Sequence, residues 1–284
     1  MSSIWQLDAP WRPRPPLARS ISCDTAIIGG GLAGILTAAL LSAEGNRVVV
    51  LEADRIGSGQ TSRTTAKVTS QHGAVYHKLE HSFGLSAAGQ YADANQRAIA
   101  AYRQLIRTKK IRCCWEDIDA CLYSTEDEEK LIFEAEAQRR AGLPSVFSRD
   151  SSLPFPVRGV VRLGAQGQFH PLRFLFALTE ELPVYEKSRV LSVDGNHLET
   201  TGGSVRADNI IFACHSPFVN WPGGYFMRMH QERSYVLALK GAPQLSDHFY
   251  CVDRGGLSLR QAGEYLLIGG GSHRTGENKS AGQY

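Results

Sequence analysis

No apolar run in this chain is long enough to span a membrane; the longest candidate, residues 35–43, is interrupted at Thr37 and Ser42. A secretory leader is not expected either, because the opening MSSIWQLDAPWRPRPPLARS holds no apolar centre followed by a small-residue cleavage site. Its prolines and arginines instead predict an extended surface arm leading into the first strand. Long basic runs are absent and the net charge is only +3, which argues against nucleic acid as a partner. Cysteine is sparse: Cys23, Cys113, Cys114, Cys121, Cys214 and Cys251 include no C-x-x-C pair. They read as reduced thiols of a cytoplasmic protein, packed as small apolar side chains, with no metal expected. Hydrophobic residues make up 43% of the 284 positions, enough to build one large or two ordinary globular domains.

What the chain does have is concentrated in residues 23–52, CDTAIIGGGLAGILTAALLSAEGNRVVVLE. An apolar run ending at Ile28 meets Gly29, Gly31 and Gly34 in G-x-G-x-x-G spacing. An Ala/Leu-rich helical stretch follows, then a second apolar run that ends at Glu52. The spacing has a physical reading. Gly29 permits the tight turn, Gly31 lets the backbone approach a pyrophosphate, and Gly34 lets the helix lie close on the strand. The helix start at Leu32 and Ala33 presents unpaired N–H groups to the phosphates. Glu52 falls where a carboxylate accepts from ribose hydroxyls, which argues against NADP but leaves NAD and FAD open. The loop that follows, including Ala53, Arg55, Gly59, Thr61, Ser62, Thr64, Thr65 and Ala66, is dense in hydroxyls and glycine. Those groups suit further contacts to an extended diphosphate and a ring beyond it, and so favour FAD.

Further along, helices are expected over residues 85–107, 126–140 and 172–182. The second is ended by Gly142-Leu143-Pro144 and the third is begun by Pro171. Residues 113–123 alternate in part like a strand, and a strand is expected at 157–163. Residues 190–193, 197–200 and 209–213 read as a meander turning at Asp194-Gly195-Asn196, and 235–239 and 265–268 as further strands. A second triple glycine, Gly269 to Gly271, is followed by polar residues where a helix should open; it reads as a strand end and a turn.

Taken in order, IIGGGLAGILTAALL, LEADRIGSGQTSRTTAKVTSQHG, GQFHPLRFLFAL, NIIFACHSPF and RSYVLALK resemble the FAD-dependent oxidoreductases of the D-amino-acid oxidase and glycine oxidase superfamily. The resemblance runs over residues 21–276 and is strongest to the branch in which a C-terminal Rieske iron–sulfur domain follows the flavin domain. It implies an α/β fold, a Rossmann-like FAD-binding domain with a mixed-sheet (α+β) substrate domain inserted. The expected division is 1–80 and 150–225 for FAD, and 81–149 and 226–284 for the substrate domain. It implies that Val190 meets the adenine and that the strand ending at Ala213 is the second flavin motif, continued here by Cys214 and His215 in place of Thr-Gly. The implied function is hydride transfer to flavin from the carbon–nitrogen unit of a small amine or amino acid, with oxygen or an iron–sulfur domain as electron acceptor. Alternatives are an NAD-dependent dehydrogenase and a non-catalytic nucleotide-binding fragment. The sequence shows no Rieske-type Cys/His pairs, and the family's closing strand is not recognised in it, so a truncated chain is the expectation. Lys67 and His72 are the candidates for groups near the flavin ring, where a cation would stabilise its anionic reduced form. His170 reads first as a helix cap, and Arg233, Tyr235 and Arg260 as groups able to meet a carboxylate.

Overall fold

The computed structural model describes residues 3–216, 218–220 and 223–276. In chain order the strands are β1 (Ile21–Ile28), β2 (Val48–Leu51), β3 (Lys67–Val68), β4 (Glu116–Ser124), β5 (Val146–Ser148), β6 (Gly159–Gln168) and β7 (Val184–Tyr185). They continue as β8 (Val190–Asp194), β9 (His197–Thr200), β10 (Ser204–Phe212), β11 (Glu232–Lys240), β12 (His248–Cys251), β13 (Ser258–Ala262) and β14 (Tyr265–Arg274). The helices are α1 (Leu32–Ala43), α2 (Tyr76–Phe83), α3 (Leu85–Thr108), α4 (Glu128–Arg140) and α5 (Pro171–Thr179).

Two compact units share the chain: Met1–Thr64, Ile111–Cys113 and His170–His230 form the first, Thr65–Lys110, Cys114–Phe169 and Gln231–Tyr284 the second. Both units are discontinuous, and the chain passes between them after Thr64, Lys110, Cys113, Phe169 and His230; the division read from the sequence set its borders at 80/81, 149/150 and 225/226. The reason is strand pairing. The two-residue strand β3 pairs antiparallel with β6, Lys67 opposite Gln168 and Val68 opposite Gly167, which binds both segments into the second unit.

In the first unit a sheet of order β7-β2-β1-β10-β9-β8 has a parallel heart, because β1 pairs parallel with both β2 and β10, and β2 with β7. The strands β8, β9 and β10 form the expected antiparallel ribbon, whose last strand then joins the parallel core. Val48 to Leu51 are all buried, as continuous apolar strands of a parallel sheet must be. Ala26, Ile28, Leu51, Leu198 and Val205 share one core cluster with Leu17. Leu17 and Trp5 are buried, so the N-terminal segment is docked rather than a free surface arm. Helix α5 starts one residue earlier and ends three earlier than expected, with Pro171 in its first turn. His170 is its N-cap, accepting from Arg173 N–H at 3.2 Å.

The second unit is a sheet of order β11-β14-β13-β12-β4-β6-β3, with β5 beside β6. Its pairings are antiparallel except for β12 with β4. Helix α4 begins at N-cap Asp127, which accepts from Lys130 N–H at 2.9 Å. It ends where Gly142, at φ +94°, and Leu143 bond back to Arg139 and Gln138. The buried Glu134 carboxylate accepts from the backbone N–H groups of Tyr76 and His77 at the start of α2, satisfying donors that no helix can pair internally. Gly269 to Gly271 all lie inside β14, which runs on to Arg274, so they form no phosphate turn but neither are they the strand end and turn that the sequence predicted. The tail reading beyond residue 276 lies outside the described residues.

Candidate dinucleotide site

The site lies at the carboxyl ends of the parallel strands, where ligands of doubly wound sheets bind. A groove of about 1020 Å³ in the first unit is lined by Ile28, Leu51 and Phe212, the final residues of β1, β2 and β10. Its size is at the upper end of the roughly 300–1000 Å³ usual for small-molecule clefts. Gly29, Gly31, Leu32, Ala33, Glu52, Ala53, Gly59, Thr61, Thr64, Val190 and Ala213 also line it. Eleven of the residues singled out in the sequence thus meet around one groove.

The glycine turn is shaped as its spacing requires. Gly29 sits at φ +119°, a conformation that side chains other than glycine rarely adopt, and a Cβ there would lie 2.5 Å from Ala213 O. A Cβ at Gly34 would lie 2.0 Å from Gly29 O, so only glycine lets α1 pack this closely on the turn. Gly34 therefore acts from behind and does not line the groove. The first i→i−4 bond of α1 runs from Ile35 N–H to Gly31 O, so the preceding N–H groups lie outside the helical ladder. One of them, Leu32 N–H, donates to Thr61 Oγ1 at 3.0 Å, tying the polar loop to the helix start.

Glu52 is held by two backbone donors, Gly30 N–H at 2.7 Å on Oε2 and Asp54 N–H at 2.8 Å on Oε1. Each oxygen keeps acceptor capacity for a further donor. Gly30 is itself a close-approach position that the motif left blank, since its Cβ would come within 3.1–3.2 Å of the Glu52 side chain. The polar loop is folded on itself: Gly57 N–H reaches Gly30 O, Ser62 N–H reaches Gly57 O, and Ser62 Oγ donates to Gly59 O at 3.0 Å. Ser62 is buried in these contacts and Arg55 lies over the Trp11 ring, so neither lines the groove.

Sequence reasoning missed Arg189, Leu191, Ser216 and Phe218 as lining residues, while Ser58, Gln60 and Phe212, which also line the groove, fall within the loop and the strand that it had marked. Arg189 and Leu191 flank Val190, and Phe212 precedes Ala213, so adjacency to a motif residue was the available signal. Cys214 and His215, which replace the usual Thr-Gly, both line the groove. Burial and the nearby Glu52 carboxylate push the Cys214 thiol upward, which keeps it protonated.

Of the remaining candidates, Ala66, Lys67, His72 and Arg260 belong to the second unit and His170 to the first. Ala66 is buried at φ +51°. Lys67 Nζ donates to Phe249 O at 2.8 Å and to Ser258 Oγ at 2.6 Å. Its pKa falls to about 7, chiefly because burial disfavours the ammonium and secondly because Arg260 repels it. Lys67 is therefore a weaker fixed cation than the sequence suggested. His72 is exposed and shares a 2.8 Å hydrogen bond with the Tyr91 hydroxyl. His170 Nε2 meets Asp8 Oδ1 at 2.8 Å, completing a structural role. Arg260 is buried and donates to Gln168 Oε1, Thr65 O and Phe169 O. Among the described residues no group of three or more His, Cys, Asp or Glu side chains is placed to hold a metal ion. Nor is any helix among them long and apolar enough to cross a membrane.

Residues 24–283 match the family described as FAD dependent oxidoreductase, DAO. The chain belongs to this family. FAD is accordingly its cofactor, and the groove, the glycine turn and Glu52 fit a dinucleotide. The DAO-family chain is 35% identical, over 294 aligned residues, to YhfW of Bacillus subtilis, a protein named for a Rieske 2Fe-2S iron-sulfur centre. That match covers 98% of this chain and 58% of the Bacillus protein, so the chain spans little more than half of that relative. The fold is that of glycine oxidase from Geobacillus kaustophilus, with a TM-score of 0.71 at 19% identity over 90% of this chain and 73% of the other. L-proline dehydrogenase from P. horikoshii gives a TM-score of 0.69 at 16% identity, covering 94% of this chain and 72% of that one. The mixed α/β architecture of the DAO family is thus the one this chain adopts.

Proposed function

We propose that this chain carries the cofactor site of an FAD-dependent oxidoreductase that oxidises the carbon–nitrogen bond of a small amine or amino acid. The observation that carries the reading is the groove at the strand ends, where the Gly29–Gly31 turn, the α1 N-terminus and Glu52 converge. Bound FAD supplies a two-electron acceptor for the hydride leaving the carbon that bears nitrogen. The backbone at Gly31 and Ala33 would face the pyrophosphate, favoured by the positive end of the α1 dipole, while Leu32 N–H, expected to do the same, is engaged by Thr61 Oγ1. Glu52, oriented by Gly30 and Asp54, accepts from the adenosine ribose hydroxyls. Val190 borders the adenine, and Thr61 and Thr64 border the diphosphate. Thr65 and Ala66 continue the same loop toward the flavin. The amine or amino-acid class is supported by relatives named glycine oxidase and L-proline dehydrogenase. For the electron acceptor we propose oxygen or an iron–sulfur domain, the latter prompted by the name of the Bacillus relative.

The test is anaerobic mixing of the FAD-loaded protein with a panel of small amines and amino acids. Bleaching of the flavin band by at least one of them is expected. A flavin that NADH bleaches and no amine does would overturn the reading. Glu52→Ala is expected to weaken FAD binding by about 10–100-fold, the range for losing hydrogen bonds to a charged acceptor. Glu52→Gln should weaken it less, as read by titration of flavin fluorescence.

A further inference from the structure

The loop that lines the groove is held from behind by the N-terminal segment. Two indoles carry the attachment. Trp5, buried, donates its Nε1–H to Thr64 O at 2.8 Å, at the far end of the loop. Its ring packs edge-on against His170 with centroids 4.9 Å apart, and His170 is fixed in turn by Asp8. Asp8 also accepts from Arg173 at 2.6 Å, so the segment is pinned to the start of α5. At the near end of the loop, Ile56 N–H donates to Glu186 Oε1 at 2.8 Å. The same buried carboxylate accepts from Trp11 Nε1–H at 3.1 Å and from Arg14 N–H at 3.0 Å. The Arg55 guanidinium lies 5.2 Å from the Trp11 ring centroid, adding a cation–π contact beside that junction.

We propose that the N-terminal segment is a clamp that sets the cofactor loop, with Trp5, Trp11 and Glu186 as its positioning residues. The inference deepens the cofactor reading and rests on the groove being the FAD site. A loop rich in glycine and hydroxyls has many conformations of similar energy, and fixing it costs conformational entropy. The clamp fixes it before the cofactor arrives, because it grips Ile56 and Thr64 from outside the groove. A buried carboxylate that loses one of its donors is left with an unmet acceptor, so Glu186 favours holding Ile56, Trp11 and Arg14 together. The clamp therefore closes as a unit. Because coupling between sites is reciprocal, FAD must tighten the N-terminal segment by the factor with which the segment tightens FAD.

The experiment compares the wild-type chain with Trp5→Phe, Trp11→Phe and Glu186→Gln. The two Phe variants keep a ring in place and remove one N–H donor; the Gln variant keeps the size and removes the acceptor facing Arg14. Hydrogen exchange is read without FAD over residues 3–14 and 55–64, and FAD affinity by flavin-fluorescence titration. Circular dichroism confirms that each variant is folded. Faster exchange in 55–64 is expected in all three variants, with FAD affinity lowered by about 3–10-fold per lost hydrogen bond. In the wild type, saturating FAD is expected to slow exchange in residues 3–14. Exchange in 55–64 that is unchanged in folded variants overturns the clamp, whether or not FAD binds. A loosened loop with FAD affinity within about twofold of wild type overturns its role in cofactor binding. A wild-type chain that takes up no FAD, with the loop still loosened in the variants, overturns the cofactor reading and leaves the clamp standing.

Discussion

Gly34→Ala is expected to leave the protein folded but unable to retain FAD. The added methyl would stand 2.0 Å from Gly29 O, a backbone atom that cannot swing aside. Relief requires α1 to move away from the turn, carrying Leu32 and Ala33 with it. The bond from Leu32 N–H to Thr61 Oγ1 then lengthens, and the polar loop loses its tie to the helix start. Overpacking of this kind costs about 1–3 kcal/mol or more, and here it is concentrated on the surface that meets the pyrophosphate. FAD affinity should fall about 100-fold or more. Gly29→Ala should behave similarly, since it combines φ +119° with a 2.5 Å approach to Ala213 O. Gly45→Ala is the control: its φ of +86° is strained for alanine, yet a Cβ there meets nothing within 4 Å. It should cost about 1 kcal/mol of stability with FAD binding unchanged. The flavin-to-protein ratio after gel filtration, beside circular dichroism, separates these outcomes. A Gly34→Ala protein that retains stoichiometric FAD would show that the close packing of α1 has no bearing on the cofactor.

These residues were legible in the sequence because their function is local. Gly29, Gly31, Gly34 and Glu52 are read from spacing along one strand–helix–strand unit, and the structure returns that unit with the expected parallel register. The meander and α5 were legible for the same reason, through turn and capping residues such as Asp194-Gly195-Asn196 and Pro171. The borders of the compact units cannot be read locally in this way. They depend on β3, whose two residues are too few to show any alternation, and on its pairing with residues some hundred positions away. The clamp was hidden in a different way. Trp5 and Trp11 carry no periodic signal, and Glu186 is ordinary in the sequence. Only the fold brings Glu186 against Ile56, 130 residues apart, and makes a buried acceptor of it. Arg55 and Ser62 illustrate the converse, since residues of suitable chemistry in the right loop spend their side chains on neighbours instead of the groove.

Lys67 gives the largest effect expected outside the cofactor groove, and it is an effect of pH on stability. Its ammonium is held by a carbonyl and a hydroxyl, neither of them charged, and its pKa falls from 10.5 to about 7. Burial is the main cause and the Arg260 guanidinium the second. Between about pH 7 and 10.5 the unfolded chain therefore holds a proton that the folded chain has released. Stability must rise with pH across that window, by an amount of the order of a few kcal/mol for a shift of this size. Below pH 7 both states are charged and the full cost of burying the cation remains. His248 adds a slope of the same sign further into acid. It is buried, both ring nitrogens lack a hydrogen-bond partner among the described residues, and burial with repulsion from Lys67 and Arg260 holds its pKa well below 6.5. The unfolded chain thus takes up a proton there that the folded chain refuses. Lys67→Met should remove the slope above pH 7 and soften the acid slope, because His248 loses a repelling neighbour. The two proteins should accordingly differ most at pH 6, with Met favoured by the relieved charge burial, and the difference should shift toward the wild type by pH 10. The absolute offset includes the acceptors Phe249 O and Ser258 Oγ that Met leaves unmet; the change of that offset with pH does not. Denaturant unfolding of both proteins at pH 6, 8 and 10 measures it directly. Parallel stability profiles for wild type and Lys67→Met would mean that Lys67 is solvated as an ordinary ammonium, in which case it is again available as the fixed cation that its place in the loop suggested.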